Sequence, residues 1–422
     1  MYFEKLNVVS ATAGDLRDLL QAKQASSVQL VKAYLRQIAK HDAALKAFIC
    51  LAPEENVVAT AASLDKERLE GHVRSPLHGV PVVLKVRSSC EPQSEILLIL
   101  TIGKDCFVSA AELGMSTTAG SCALVGAKAN KNSAMVQKMI DAGLIILGKT
   151  NMTEFAGMKM TMMMPGWSAY GGQTISPYVG KIEEGDTILG HSAPGDFFDS
   201  PGPMAKCAAD VQALLEVMLR KEFLSSGPGE WKDVSIGFAD PQMWKMAGAM
   251  CRQHQGTAEE MVLKYVSCME LLRSTACELQ YPISIPDISV LTVDEEDAIM
   301  PIASYTEQGD IVKAFENEDT EENVARLRDG LRSKARSVLE PVFLENKIDI
   351  IAAPSDSPLC IHAAAAGCPI ATVPLGQLTY NQRPFGLCLM AREGYEESLL
   401  RFMHLYESVA PARPVPQGMD KA

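Results

Sequence analysis

The chain has 422 residues, of which 47% are hydrophobic and 22% charged, and its formal net charge is −13. That length can bury a large core, and that balance is typical of a globular protein. The surplus of carboxylates argues against a nucleic-acid partner, because phosphate binding needs a basic surface.

Two further classes are disfavoured on the same grounds. The apolar stretch from Ile96 to Ile102 is far too short to cross a bilayer, so no membrane partner is expected. Eleven cysteines are scattered without C-x-x-C spacing, and the seven histidines show no metal-ligand spacing with them. Neither a metal nor a cofactor is expected. Met1-Tyr2-Phe3-Glu4-Lys5 has none of the apolar run of a secretory leader, so free thiols and a cytoplasmic location are the expectation.

Residues 12 to 40 read as two helices. Thr12 can cap the first, which carries Leu16, Leu19 and Leu20; Ser26 or Ser27 can cap the second. In the second helix Val28, Val31, Leu35 and Ile38 repeat at the helical period. Pro81-Val82-Val83-Leu84-Lys85 is an apolar run closed by a lysine. Ser133 can cap a helix through Ile140, and Gly143 stands where a C-terminal glycine prefers to be. Leu144–Leu147 is then a fully apolar strand, as in a sheet covered on both faces, and Thr150 or Asn151 can start the next helix. The methionines from Met158 to Met164 read as loop or packing.

Further on, the spacing predicts helices over Ala208–Leu219 and Thr257–Leu279. Residues 293–330 are rich in Asp and Glu and read as a solvated face. Leu339–Phe343 reads as helix, Ile348–Pro354 and Cys368–Gly376 as buried strands, and Glu397–Tyr406 as a closing helix. The alternation predicts an α/β fold, a layered sheet with helices outside.

Several blocks occur in a telling order: Leu77–Lys85, Met115–Ser121, Asp141–Phe155, Gly166-Trp167-Ser168, Gly171–Thr174 with Pro177-Tyr178, Ser200–Ala205, Cys368–Gly376 and Arg383–Leu387. Together they resemble the amidase signature family of serine hydrolases, and its fungal members most. The resemblance runs from about residue 10 to about 416 and implies a single amidase-like domain over 10–416. It implies a mixed central β-sheet flanked by α-helices on both faces.

It also implies a chemistry, hydrolysis of a carboxamide C–N bond in a small molecule. In the family a buried lysine deprotonates a serine held through a cis peptide bond. That serine relays the proton from a second serine, the nucleophile, and backbone N–H groups hold the oxyanion. A serine hydroxyl is a poor nucleophile until a base takes its proton. A lysine serves as that base once burial lowers its pKa, and the developing negative charge needs fixed donors. Lys85 matches the base position. Met152, Glu154 and Phe155 match a stretch that lines the substrate pocket in relatives.

The pattern breaks in two places. Residues 86–110, directly after Lys85, have no counterpart and no clear period. After Pro177-Tyr178 the resemblance implies a Gly/Ser-rich loop carrying the cis serine, then a Gly-Gly-Ser element carrying the nucleophile, and with them part of the central sheet. Here Gly190-His191-Ser192-Ala193-Pro194-Gly195 passes straight into the Ser200-Pro201-Gly202-Pro203-Met204 block, an apparent deletion near 195–196. Ser192 is the candidate hydroxyl, but Gly190-x-Ser192-x-x-Gly195 misses the spacing of a nucleophile elbow. The expectation is therefore an amidase-type hydrolase impaired or inactive in this form, with disrupted central strands. The alternatives are a non-catalytic paralogue or a misassembled gene product with a binding role. A subunit that transfers ammonia on an acylated tRNA shares the family fold, and the acidic charge argues against it.

Overall fold

The computed structural model describes residues 6–85, 113–127, 131–157, 159, 166–178, 202–241, 254–285, 309–416 and 419. Both N-terminal helices start with capping boxes. Thr12 Oγ1 accepts from the Asp15 N–H at the head of α1 (Ala13–Gln21), and Ser26 Oγ accepts from the Gln29 N–H at the head of α2 (Ser27–Leu45). β1 (Phe48–Leu51) and α3 (Glu54–Leu69) follow. The sequence reading passed over α3, whose Val57, Ala61 and Leu64 do bury one face.

β2 (Pro81–Lys85), α4 (Ala134–Asp141) and β3 (Ile145–Thr150) form a parallel crossover, with β1 antiparallel on the far side of β3. As expected, Ser133 caps α4 by accepting from the Val136 N–H. Gly143 ends the turn at φ +82° against His78, where a Cβ would come within 2.7 Å of Nδ1. Leu20, Leu30, Val31, Leu84, Val136 and Ile145 share this core. Beyond Thr150 there is no α-helix but a short 3-10 turn, Glu154–Gly157. The Asn151 side chain, which could have capped a helix, is used elsewhere.

A small hairpin, β4 (Trp167–Ser168) and β5 (Gly172–Gln173), precedes α5 (Ala208–Leu219). Then come β6 (Ser235–Ala239), α6 (Thr257–Arg273), β7 (Glu278–Ile283), α7 (Gly309–Phe315), α8 (Glu321–Asn346), β8 (Ile350–Pro354), α9 (Leu359–Ala366), β9 (Ile370–Gln377), β10 (Pro384–Ala391) and α10 (Glu396–Val409). The second sheet has the order β7-β6-β8-β10-β9, with β6 parallel to β7 and β8, and β10 antiparallel to β8 and β9.

Its side chains alternate between two cores. Ile350, Ala352, Leu387 and Leu389 point to the side of Tyr265, Leu272 and Phe402; Ile351, Ala353, Cys388 and Met390 point to the side of Leu339, Phe343 and Leu359. Helices thus cover both faces, and the class is the mixed, helix-flanked α/β fold expected from the sequence. Among the described residues the strands fall into separate sheets of three and five, plus the hairpin.

Two boundaries differ from the sequence reading. α6 stops at Arg273, where the Ser274 and Thr275 hydroxyls donate to the carbonyls of Leu271 and Leu272, and after a turn the last two residues of the expected helix, Glu278 and Leu279, start β7 beside β6. The acidic stretch supplies α7 and, capped by Thr320, the first turns of α8; residues 293–308 lie outside the described residues.

One edge strand of each sheet, β2 and β9, looks toward the loop Gly202–Lys206. A cleft of about 340 Å³ lies between that loop, β9, α5 and α10, and one of about 440 Å³ between it, β2 and the Leu16 and Tyr34 side chains. Aliphatic groups dominate both linings.

Candidate active site

The C-terminal ends of β2 and β3 lie side by side, Lys85 paired with Thr150. Lys85 thus sits at a strand end as the sequence suggests, and its side chain lies outside the described residues, as does Ser192. What the structure does describe is the cradle around these ends.

Lys149 is the first element of it. A lysine one residue from the end of an otherwise apolar strand is fully buried, and its Nζ donates to Thr117 Oγ1 at 2.8 Å and to the Ser116 carbonyl at 3.0 Å. Both oxygens give a buried amine hydrogen-bond partners that water cannot supply there. The bonds clamp the 115–121 block onto β3. That block turns through Ala119 at φ +51° and Gly120 at φ +80°, and a Cβ on Gly120 would lie 2.7 Å from Ser168 Cβ. Its carbonyls accept from both sides: Ala119 from the Phe155 N–H at 2.8 Å, Gly120 from the Tyr170 N–H at 2.9 Å.

Asn151 is the second. Its Oδ1 accepts from Ser168 Oγ and from the Met152 N–H, both at 2.9 Å, and its Nδ2 donates to the Gly172 carbonyl at 2.9 Å. Ser168 Oγ in turn accepts from the Gly171 N–H at 2.9 Å. One amide therefore ties β3, the 3-10 turn and the hairpin together. Gly171 must be small, since a Cβ there would sit 2.6 Å from Asn151 Cγ.

Met152, Glu154 and Phe155 all belong to this cradle. Met152 is buried beside Ile49. Glu154 is also buried; its Oε2 accepts from the Ala169 N–H at 2.9 Å and its Oε1 lies 3.4 Å from Lys159 Nζ. Phe155 is the partly open member, held at φ +48°. Glu154 is thus engaged by a backbone donor and a buried cation. Sequence reasoning quoted Lys149 and Ser168 inside blocks without giving them a role, took Asn151 only as a possible helix start, and passed over Lys159. The signal for Lys149 and Asn151 was a Lys and an Asn at the end of an apolar strand, where water cannot reach both.

A second polar knot lies beside the Gly202–Lys206 loop. Lys206 Nζ donates to the carbonyls of Val8 at 2.9 Å and Ala11 at 2.6 Å, while the Asp210 carboxylate accepts from the N–H groups of Ala13 at 2.6 Å and Gly14 at 3.0 Å. Burial, aided by the charge of Arg413, pushes the Lys206 amine down to about 8. Tyr34, whose ring lies 6.0 Å from that amine, is pushed up to about 12 by burial and by Asp210 and Asp15. No group of His, Cys, Asp and Glu side chains suited to a metal ion occurs among the described residues.

Residues 29–91 and 100–182 match the model of the Amidase family. A putative amidase of Arthroderma benhamiae is 29% identical over 45% of the chain and 32% of its own length. A probable amidase of Arabidopsis thaliana is 33% identical over 41% and 30%. A glutamyl-tRNA(Gln) amidotransferase subunit of Acidothermus cellulolyticus is 33% identical over 36% and 25%. The chain spans about a third of the length of the curated amidases it matches.

The fold extends further than the sequence match. The structure of a peptide amidase from Stenotrophomonas maltophilia superposes with a TM-score of 0.73, covering 97% of this chain and 98% of that one at 22% identity. The amidase-like architecture therefore includes the five-stranded sheet, beyond the matched residues. No described helix is long and apolar enough to cross a membrane.

Proposed function

We propose that this chain is an amidase-family hydrolase scaffold, a single amidase-like unit over residues 10–416, that lacks the paired serines of its chemistry and is impaired or inactive in this form. Its ancestral substrate is a small carboxamide, and Lys85 is the inherited base. The observation that supports this reading is the contrast between two halves of one site. Among the described residues the cradle is tied by single hydrogen bonds: Lys149 to Thr117, Ser168 to Asn151, and the Ala169 N–H to Glu154. The stretch that should deliver two hydroxyls to it, between Tyr178 and Ser200, contains one serine, Ser192, outside any nucleophile-elbow spacing.

Base without nucleophile predicts failure of acyl-enzyme chemistry, not a modest slowing, because such groups act as a unit. Purified protein treated with a fluorophosphonate probe is expected to remain unlabelled. Turnover of aliphatic and aromatic amides is expected to stay at background, while a variant with a Gly/Ser-rich loop restored between Tyr178 and Ser200 should gain both activities. Covalent labelling of the unmodified chain at Ser192 or any other hydroxyl would overturn the inactive reading.

A further inference from the structure

α8 changes environment half-way along while its sequence pattern does not. In its second half Ala335, Leu339 and Val342 are buried against the core, and Arg332 and Arg336 donate to the carbonyls of Ala364, Ala365 and Ala366 at the end of α9. At 3.6 residues per turn the same arc continues back through Leu331, Leu327 and Val324. There it faces outward: Val324 is 45% exposed, Leu327 54% and Leu331 46%, and Phe315 at the end of α7 is 90% exposed. Scattered exposed aliphatics need no explanation, but here three of them recur on one helical arc.

We propose that this half of α8 is a self-association face, paired antiparallel with the same helix of a second copy. The charges on the rim select that occupant. Glu321 and Arg328 lie seven residues apart along the same edge of the arc. In a two-fold antiparallel pairing centred near Ala325, each Glu321 meets Arg328 of the other copy, and each Val324 packs on Leu327 of the other copy. A chain of net charge −13 repels its own copy over most of its surface, and this alternation of acid and base along one helix provides a local exception. One helix face is small beside the ~800 Å² per partner of a standard interface, so the dimer is expected to be weak and reversible.

Sedimentation velocity of the full chain over a wide concentration range tests this. The expected result is a reversible monomer–dimer equilibrium that Leu327→Glu abolishes without lowering the thermal midpoint, since the side chain is half exposed. Glu321→Arg and Arg328→Glu should each weaken the dimer by tenfold or more, and the two together should restore it. The proposal is overturned by a monomer at every concentration, by a dimer indifferent to Leu327→Glu, by charge reversals with no effect, or by a fall in midpoint showing that Leu327 packs within its own chain.

Discussion

Asn151 shows how one polar side chain can hold a site's frame together. Its amide has two acceptor lone pairs and two donor hydrogens, and the structure engages both ends: Ser168 and the Met152 N–H on the oxygen, the Gly172 carbonyl on the nitrogen. Such an amide cannot yield space without breaking bonds. Gly171→Ala places a methyl against it and is expected to destabilise the protein by about 1–3 kcal/mol, the usual cost of overpacking. Ser168→Ala removes the acceptor of the Gly171 N–H and one donor to Asn151, and a similar loss of about 1–3 kcal/mol follows from stranding those buried groups. Urea unfolding of the three proteins measures both. Because the residues share Asn151, the double variant should lose less than the sum; strict additivity would show that the amide is not the shared hinge of the hairpin.

At the scale of elements, what is fixed locally was legible and what is fixed by distant pairing was not. Thr12, Ser26 and Ser133 announced α1, α2 and α4 by capping chemistry, which is local and therefore visible in sequence. Ala208–Leu219 was legible from its periodicity. The end of α6 was not, because β7 is made a strand by pairing with β6 more than forty residues earlier, a non-local fact. The site divides in the same way. The blocks carrying Lys85, Met152, Glu154 and Phe155 stood out, whereas the bonds of Lys149 to Thr117 and of Lys206 to the α1 approach join segments far apart in the chain. Lys206 and Asp210 fasten α5 to the start of α1, and that contact is sensitive to pH. The folded amine titrates near 8 and the unfolded one near 10.5, so between those values the unfolded chain binds the extra proton. The penalty of burying the charge is fully present below pH 8 and is relieved as pH rises toward 10.5. Relative to Lys206→Met, which carries no such proton, the native protein should gain stability across that window in thermal melts. A difference that stays flat from pH 7 to 10.5 would place the Lys206 amine in an ordinary aqueous setting.

For the molecule as a whole, the decisive geometry is a pair of edge strands, one from each sheet. β2 and β9 turn toward one loop, Gly202–Lys206, with a cleft on each side. A strand that ends a sheet leaves backbone donors and acceptors on one side to be satisfied by water or by other groups, and a loop bearing Pro203 cannot supply a full ladder. The clefts beside it, about 340 and 440 Å³, are lined largely by apolar groups, which forgo contacts they would have in a close-packed interior. Both effects weaken the junction between the three-stranded and five-stranded sheets while leaving each core intact. The expected consequence is a broad melt with a midpoint below about 60 °C, within the mesophilic range, and binding of a hydrophobic dye well before unfolding. On the proposed reading, inserting a Gly/Ser-rich stretch with strands between Tyr178 and Ser200 should sharpen the transition, raise the midpoint and suppress dye binding together. A single sharp melt above that temperature in the unmodified chain, without dye binding, would mean that the junction is already closed.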